Sequence, residues 1–187
     1  MILDNIDKQL INILSRKGRE SLTVLKDRVK KPDEDTMSHS GVRKRIKKLE
    51  DNEIIKVQGN VNITTLGYQA AFILMEMKNY IEVQKIVDAY KHCPRVFLLA
   101  QVTGQYNLII GVLGQNIDVL RRFINLCGPT NKEGILHSAL MFVSQLETPQ
   151  FLPTKLFSNE SLEHKCGNIC ANCEAFQEHE CAGCGCF

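Results

Sequence analysis

Apolar positions in the first third of the chain recur every three or four residues, which is the spacing of one face of an α-helix. This pattern predicts helices over residues 4–17, 21–29 and 38–49. Beyond the third helix the pattern changes. The segments 54–57 and 61–63, separated by Gln58-Gly59-Asn60, predict two strands joined in a hairpin. Three short helices closed by a hairpin are the parts of a winged helix-turn-helix.

The predicted third helix, residues 38–49, carries its apolar and its basic residues on different sides. Val42, Ile46 and Leu49 are spaced by four and three, so they share one face. Five of the six residues from 43 to 48 are Lys or Arg, and they fall opposite or beside that face. A polyanion along this side would relieve their mutual repulsion. DNA phosphates are the obvious candidate, since Lys and Arg gain affinity there from counterion release.

We predict that this helix binds double-stranded DNA as the recognition helix of a helix-turn-helix does. Its first residues would face base edges, and the later cations would contact phosphates. Ser38 and Ser40 are also candidate N-caps, because a hydroxyl can accept a hydrogen bond from a first-turn amide. The alternative for the helix, and equally for Lys56 in the predicted hairpin, is that the charges only face solvent. Arg45 also lies close enough to the apolar face of the helix to contribute to packing. The predicted DNA-binding residues are Ser38, His39, Ser40, Arg43, Lys44, Arg45, Lys47 and Lys48 on the helix and Lys56 in the hairpin.

From residue 69 the periodicity changes again and predicts the order strand, helix, strand, strand, helix, strand. This order is the ferredoxin-like βαββαβ unit, an antiparallel sheet with two helices packed on one face. The other face would carry apolar side chains such as Phe72, Leu74 and Leu99, and an apolar surface of this kind predicts self-association. The predicted strands are 69–77, 96–102, 108–113 and 135–147, and the predicted helices are 82–91 and 116–126.

These segments predict an α+β chain with three folded parts and two connections. Gly59 and Gly67 flank the first connection, and Pro149 and Pro153 lie in the second. The predicted division is a winged helix-turn-helix over 1–60, a hinge over 61–68, a ferredoxin-like domain over 69–147, a linker over 148–165 and a Cys-rich tail over 166–187.

The composition is that of an ordinary soluble globular protein, with 44% hydrophobic and 24% charged residues among 187. No apolar run approaches the roughly 20 residues that span a bilayer, and the N-terminus lacks the basic and apolar regions of a signal peptide. We therefore expect a cytoplasmic protein without a membrane partner. The net charge of +2 is uneven: residues 1–60 hold 14 Lys and Arg against 10 Asp and Glu, which fits a basic binding end. Because no Gly-rich phosphate loop or nucleophile motif is present, we expect no enzymatic activity.

Six of the eight Cys residues lie in the predicted tail. In a reducing compartment, clustered thiols are more often metal ligands than disulfides. Two sites compete: a Zn²⁺ ion held by Cys170, Cys173, Cys181 and Cys184, and a 4Fe–4S cluster held by Cys166, Cys170, Cys173 and one later thiolate. The number of thiols exceeds what one zinc ion needs, so we favour the cluster; a disordered or disulfide-bonded tail is the alternative. The candidate ligands are Cys166, Cys170, Cys173, Cys181, Cys184 and Cys186, with His164 and His179 as further donors. His137 could also ligate a metal, but it lies in a predicted strand, which favours a structural role.

A set of short motifs stands in order over residues 2–147: Leu3-Asp4-x-x-Asp7, Gly18-Arg19, Val42-Arg43-x-Arg45-Ile46-Lys47-x-Leu49-Glu50, Ile54-Ile55, Leu66-Gly67-Tyr68 and Val102-Thr103-Gly104-Gln105-Tyr106-Asn107-Leu108. Together they resemble the Lrp/AsnC (feast/famine) family of prokaryotic transcription regulators. The resemblance implies that the N-terminal unit binds DNA and that the ferredoxin-like unit is the family's RAM domain. That domain binds an effector, dimerises through its sheet and often assembles dimers into octamers.

The resemblance also implies an effector pocket. The family's Gly-x-Tyr-Asp turn helps form this pocket, typically for an amino acid, and the matching residues are Gly104, Gln105, Tyr106 and Asn107. Two features depart from the family pattern. Asn107 stands where the family commonly has Asp, and a neutral amide cannot offer a full negative charge to an amino group, although it can stabilise the turn. The connection before the basic helix is longer than usual and contains Asp33-Glu34-Asp35, and acidic groups near phosphate weaken DNA binding unless Lys30 and Lys31 pair with them.

The sequence thus predicts a sequence-specific, DNA-binding transcription regulator of the Lrp/AsnC type. Its Cys-rich tail would respond to metal or redox state and bias the DNA-binding geometry. The alternative is a metal or redox carrier whose N-terminal unit serves assembly. Steep salt dependence of duplex binding favours the regulator, because phosphate contacts set that slope, whereas a coloured protein that ignores DNA favours the carrier.

Overall fold

A computed structural model of the chain describes residues 2–30, 36–154, 156, 169–178, 181 and 183. Its contacts divide the chain into two compact units, Met1–Gly59 and Asn60–Phe187. The division therefore falls at the start of the stretch predicted as a hinge.

The first unit contains the three predicted helices, which are α1 Asn5–Arg16, α2 Leu22–Arg28 and α3 His39–Asp51. Each helix buries the apolar stripe that predicted it, and the three stripes meet in one core. This arrangement confirms the helix-turn-helix prediction. The buried residues of the core are Ile6, Leu10, Leu25, Val29, Met37, Val42 and Leu49.

Each of these helices begins at a side-chain cap. Asp4 and Asp7 form a reciprocal capping box at the start of α1, and Ser21 caps α2. At the start of α3, Ser38 Oγ accepts a hydrogen bond from the Gly41 amide at 3.1 Å. Such caps contribute about 1 kcal/mol each, so a local interaction fixes where the basic helix begins.

The second unit begins with a short strand and then follows the predicted βαββαβ order. Its elements are β1 Val61–Asn62, β2 Gln69–Met77, α4 Tyr80–Tyr90, β3 Val96–Gln101, β4 Leu108–Gly114, α5 Ile117–Arg122, β5 Ile135–Phe142, β6 Phe151–Leu152 and α6 Glu174–Gln177. Strands β2 to β5 form one antiparallel sheet in the order β3-β4-β2-β5. This is the ferredoxin-like arrangement, so that prediction is confirmed. Two predicted ends differ: α5 continues beyond Arg122 as a π-helical turn, Phe123–Cys127, and the last strand of the sheet ends at Phe142.

The core of the second unit lies between this sheet and helices α4 and α5. Ile73 of β2 is paired with Ile110 of β4, and both are buried together with Tyr90 and Leu120 of the helices. The Tyr90 hydroxyl donates a hydrogen bond to the Cys127 carbonyl at 2.8 Å. The one polar end of this buried ring is thereby satisfied, as a buried tyrosine requires.

The face of the sheet that points away from the two helices is apolar, and we call it the open face. Residues paired across a sheet point to the same side, and the pairing places Phe72 opposite Gly111 and Met141, and Leu74 opposite Ile109. Phe72 makes an edge-to-face contact with Phe97, with ring centroids 5.7 Å apart. The residues that define the open face are Phe72, Leu74, Leu98, Ile109 and Met141.

Leu99 was expected on the open face, and this prediction is wrong. Leu99 pairs with the buried Ile110 and packs against the core on the helix side. The cause is a register shift between Val96 and Leu98, because one extra residue in a strand inverts the alternation that follows it. Leu98 takes the outward position instead and is exposed.

The predicted hairpin is also wrong. Residues 54–59 form no strand, and β1 pairs antiparallel with β6, with Val61 opposite Leu152. Strand β6 lies in the segment predicted as a linker. Leu152 is buried in one cluster with Ile63 and Leu113, so this pairing covers apolar surface that a hairpin would have left open. Alternation indicates a strand but does not identify its partner.

Candidate nucleic-acid interface

Helix α3 holds most of its cations in solvent. Val42 and Leu49 are buried in the core of the first unit, and this anchors the helix by the face opposite its charges. The predicted base-facing positions at the helix start are exposed too. The exposed candidates on this helix are Ser38, His39, Ser40, Arg43, Lys44, Lys47 and Lys48.

Arg45 is the exception among the cations of α3, because it is only partly exposed and forms two ion pairs. Its Nη1 lies 2.6 Å from Asp4 Oδ2 and 2.7 Å from Asp7 Oδ1. The backbone amide of Asp7, together with the Arg45 guanidinium, holds the pKa of Asp4 below its usual value. The Asp7 side chain is only 6% exposed. Arg45 therefore ties α3 to the capping box of α1, and this is a packing role.

Lys56 is exposed but lies in the irregular stretch after α3 and not in a strand. The predicted phosphate contact of Lys56 depended on a hairpin, and residues 54–59 form no strand. The acidic stretch Asp33-Glu34-Asp35 lies outside the described residues. Next to it, Gln9 exchanges two side-chain hydrogen bonds with the backbone of Lys30, each at 3.0 Å, so the end of α2 is fixed against α1.

The Asn107 side chain ties the turn at Gly104–Asn107 to Met77 at the end of β2. Asn107 Oδ1 accepts from the Met77 amide, and Nδ2 donates to the Met77 carbonyl, both at 2.9 Å. Its backbone amide also donates to the Met75 carbonyl at 3.0 Å. A carboxamide can both donate and accept, whereas a carboxylate can only accept. The two contacts with Met77 together therefore require the carboxamide of Asn107.

The described part of the tail places three thiols around one cavity. Cys170, Cys173 and Cys181 line a cavity of about 290 Å³ together with residues of the β3 and α5 region. Within the residues that the structure describes, no three His, Cys, Asp or Glu side chains are grouped closely enough to hold a single metal ion. The other candidate ligands Cys166, Cys184, Cys186, His164 and His179 lie outside the described residues. His137 lies in β5 opposite Glu76 and does not line this cavity.

Arg95 is a polar residue of the tail cavity that sequence reasoning missed. It is only 5% exposed, and its Nη2 donates to the Gly183 carbonyl and, at 3.7 Å, to Cys181 Sγ. These contacts join residues 86 and 88 positions apart, so no local pattern could show them. The one signal in the sequence was that a charged residue, Arg95, directly precedes the apolar strand β3.

No protein-family model matches the chain. A relative among curated proteins, the HTH-type transcriptional regulator FL11 of Pyrococcus furiosus, is 29% identical over 158 residues, which cover 82% of this chain and 98% of that protein. FL11 of Pyrococcus abyssi is 29% identical over 157 residues, or 82% and 97% of the two chains. Among solved structures, AsnC of E. coli matches with a TM-score of 0.66 at 20% identity, over 79% of this chain and 95% of AsnC. By its similarity to these regulators the chain is a DNA-binding transcriptional regulator, and its fold is the one that AsnC has.

A further structural neighbour of this regulator is NMB0573 of Neisseria meningitidis, which was determined as a complex with L-Met. It matches with a TM-score of 0.65 at 20% identity, over 77% of this chain and 91% of that one. The two FL11 proteins are named as HTH-type transcriptional regulators, and NMB0573 is named as a transcriptional regulator. In the part of the regulator that the structure describes, no helix is both long and apolar enough to cross a membrane.

Proposed function

We propose that this regulator reads duplex DNA with the exposed side of α3. His39, Ser40, Arg43 and Lys44 would face base edges, and Lys47 and Lys48 would contact phosphates. The observation that carries the assignment is the separation of roles along one helix: Val42 and Leu49 are buried, while the four cations Arg43, Lys44, Lys47 and Lys48 are exposed. A recognition helix needs buried residues that anchor it in its unit and exposed hydrogen-bond donors that face the DNA groove.

Arg45 is assigned a positioning role in this proposal and not a DNA contact. Its Nη1 already serves two carboxylates at 2.6 and 2.7 Å. A salt bridge that links α3 to the capping box of α1 sets the orientation of the recognition helix within its unit. Lys56 remains a candidate phosphate contact, now from the irregular segment after α3.

The test is the salt dependence of binding to a duplex selected from genomic fragments, followed by fluorescence anisotropy. Each phosphate contact contributes about 0.9 to the slope of log affinity against log salt. Lys47→Ala/Lys48→Ala is therefore expected to lower that slope by about 1.8. The matched control is Lys78→Ala/Lys91→Ala, which removes the same charge from the second unit. An unchanged slope in the α3 variant, or an equal fall in both variants, would remove this helix from the interface.

The regulator is further proposed to act as a homodimer joined through the open face, with octamers as a higher assembly. The support is the apolar character of that face, on which Leu98 and Met141 are exposed. Symmetric dimers present two recognition helices to a palindromic duplex. Sedimentation velocity across protein concentrations tests the assembly state.

An amino-acid effector is proposed at the Gly104–Asn107 turn, which matches the effector turn of the related family. Because the Asn107 side chain is committed to Met77, the ligand would be met by Gln105, Tyr106 and the turn backbone. The complex of the meningococcal neighbour with L-Met makes L-Met the first ligand to test. The experiment is a calorimetric titration of L-Met into the wild-type chain and into Tyr106→Ala. Equal heats of binding in both would exclude this turn as the effector site.

The tail is proposed to bind a metal, as Zn²⁺ or as an iron–sulfur cluster, and to bias DNA binding by its metal or redox state. The support is the set of six closely spaced Cys residues, three of which line one cavity. Elemental analysis of the purified chain for zinc and iron tests this part, together with duplex affinity before and after chelation.

A further inference from the structure

Two hydrogen bonds between Gln9 and Lys30 join α1 to the connection between α2 and α3. Gln9 Nε2 donates to the Lys30 carbonyl, and Gln9 Oε1 accepts from the Lys30 amide, both at 3.0 Å. A carboxamide carries a donor and an acceptor side by side, so one side chain serves both polar groups of a backbone residue, as a neighbouring strand does. Leu10, the next residue of α1, is buried in the core of the first unit. Gln9 therefore holds Lys30 from a fixed part of that unit.

Lys30 also forms an isolated antiparallel bridge with Thr36. Five residues, 31–35, separate the two in the sequence, yet the Cα atoms of residues paired in this way lie only about 4.5–5.5 Å apart. Each bridge residue is next to a buried one, because Val29 precedes Lys30 and Met37 follows Thr36. The two ends of the connection thus meet at the core, and the bridge brings the chain to the start of α3 whatever the length of the connection.

The chain enters α3 within two residues of the bridge. Ser38 is the N-cap, and its Oγ accepts from the Gly41 amide at 3.1 Å. A Cβ atom at Gly41 would lie 3.1 Å from both Met37 Cε and Ser38 Oγ, so the first turn of α3 is packed closely against the residue that follows the bridge. This turn carries His39 and Ser40, two of the residues proposed to face base edges.

We propose that Gln9 is a positioning residue for DNA reading. By holding Lys30, and through it the bridge with Thr36, it fixes the direction in which the first turn of α3 meets the groove. The inference rests on the proposed function of α3 and adds to it a residue of another helix.

This role predicts a loss of discrimination between duplexes. Affinity for any duplex comes mainly from phosphate charge, and Gln9 carries no charge. Contacts with base edges, by contrast, need the start of the helix within hydrogen-bond distance of particular atoms. Loss of Gln9 is thus expected to weaken binding to the preferred sequence more than binding to DNA in general.

The experiment measures the affinity of the full chain for two duplexes by fluorescence anisotropy: the duplex selected from genomic fragments and a scrambled duplex of equal length. The variants are Gln9→Ala, Gln9→Glu and Gln9→Lys. Glu can still accept from the Lys30 amide and Lys can still donate to its carbonyl, while the two change the charge in opposite directions. Asn12→Ala is the matched control, because it removes an exposed amide from the same helix. Hydrogen exchange of α1 and α3 identifies a temperature at which each variant is folded.

We expect Gln9→Ala to lower the ratio of the two affinities about tenfold, which is roughly the effect of losing one base contact. Its slope of log affinity against log salt should stay that of wild type, since no phosphate contact is removed. Gln9→Glu and Gln9→Lys should both lower the ratio by a smaller factor, and Asn12→Ala should leave it unchanged.

A wild-type ratio in folded Gln9→Ala would limit Gln9 to a structural role and overturn the proposal. Shifts of the ratio in opposite directions in Gln9→Glu and Gln9→Lys would trace the effect to charge and also overturn it. If Gln9→Ala does not fold, these two variants decide the question. Failure of the proposed function gives a different result: a wild-type chain that binds both duplexes equally, or a salt slope unchanged in Lys47→Ala/Lys48→Ala, would overturn DNA reading by α3 and this inference with it.

Discussion

Replacing Arg45 by Met separates the two roles that a cation on the recognition helix can have. Met keeps much of the aliphatic length of the side chain and removes the guanidinium. Arg45 lies on the same helix as Arg43, two residues earlier, yet the structure gives the two residues different surroundings. Arg45 pairs with Asp4 and Asp7, whereas Arg43 is exposed.

The cost of Arg45→Met follows from how exposed each partner is. The Asp4 side chain is 51% exposed, and ion pairs of exposed groups contribute at most about 1 kcal/mol. The Asp7 side chain is 6% exposed, and breaking a fully buried pair costs about 3–5 kcal/mol. Because the Arg45 side chain is 30% exposed and the Asp4 amide still donates to Asp7, we expect a total near the lower end, about 2–3 kcal/mol.

Hydrogen exchange followed by mass spectrometry measures this loss in the full chain, without requiring that both units unfold together. A loss of about 2 kcal/mol corresponds to roughly thirtyfold faster exchange of the amides in α1 and α3. Arg43→Met is the matched control, for which we expect wild-type exchange rates and a large loss of duplex affinity. Arg45→Met should keep most of its affinity at a temperature where the unit stays folded.

The reasoning fails if Arg45→Met exchanges within about twofold of wild type while losing as much duplex affinity as Arg43→Met. Arg45 would then be a DNA contact whose pairing with Asp4 and Asp7 contributes nothing measurable to stability. Asp7→Asn and the double variant Arg45→Met/Asp7→Asn complete a double-mutant cycle. The cycle should give a coupling energy between Arg45 and Asp7 of at least about 1 kcal/mol.

Three further outcomes are expected. Because the pKa of Asp4 is lowered in the folded chain, its charged form adds stability above the pKa of the unfolded chain, and this stability is lost as pH falls through the folded pKa. Hydrogen exchange should therefore show weaker protection of α1 in acid. Asp4→Asn should show a smaller change of protection with pH. Asn107→Asp removes the donor to the Met77 carbonyl and should cost about 1–3 kcal/mol, which calorimetry would register as a lower Tm; an equal or higher Tm would contradict the account of this turn. Met141→Glu on the open face should yield monomers in light scattering, whereas Ile81→Glu, an exposed apolar position on α4, should leave the assembly unchanged.

Local signals predicted the local structure well. Ser38 was a candidate cap from residue type alone and does cap α3, because the hydroxyl and the amide it serves are three residues apart. The stripe of Val42 and Leu49 identified the buried face of that helix for the same reason. Within the βαββαβ order, a nearly continuous apolar run predicted β2 with the bounds that the structure has, Gln69–Met77.

The failures are all cases in which a distant partner decides. Residues 54–57 have the mostly apolar composition of a strand, but the strand that pairs with β1 is β6, some ninety residues later. Leu99 lies on the helix side because of an irregularity in β3 that no spacing rule reveals. Arg95 donates hydrogen bonds to Cys181 and Gly183. A single charged residue in the sequence does not indicate that these distant residues pack against it.

The pairing of β1 with β6 has a practical consequence for shortening the chain. A truncation placed after Phe142, where the sheet ends, would remove Leu152 and open the cluster that contains Ile63. Ile63 directly follows β1 near the start of the second unit. Deletions that remove the thiol-rich end should therefore keep Leu156, which belongs to the same cluster. A shorter product would lose apolar packing inside the second unit, and a change in its DNA binding would be wrongly assigned to the missing thiols.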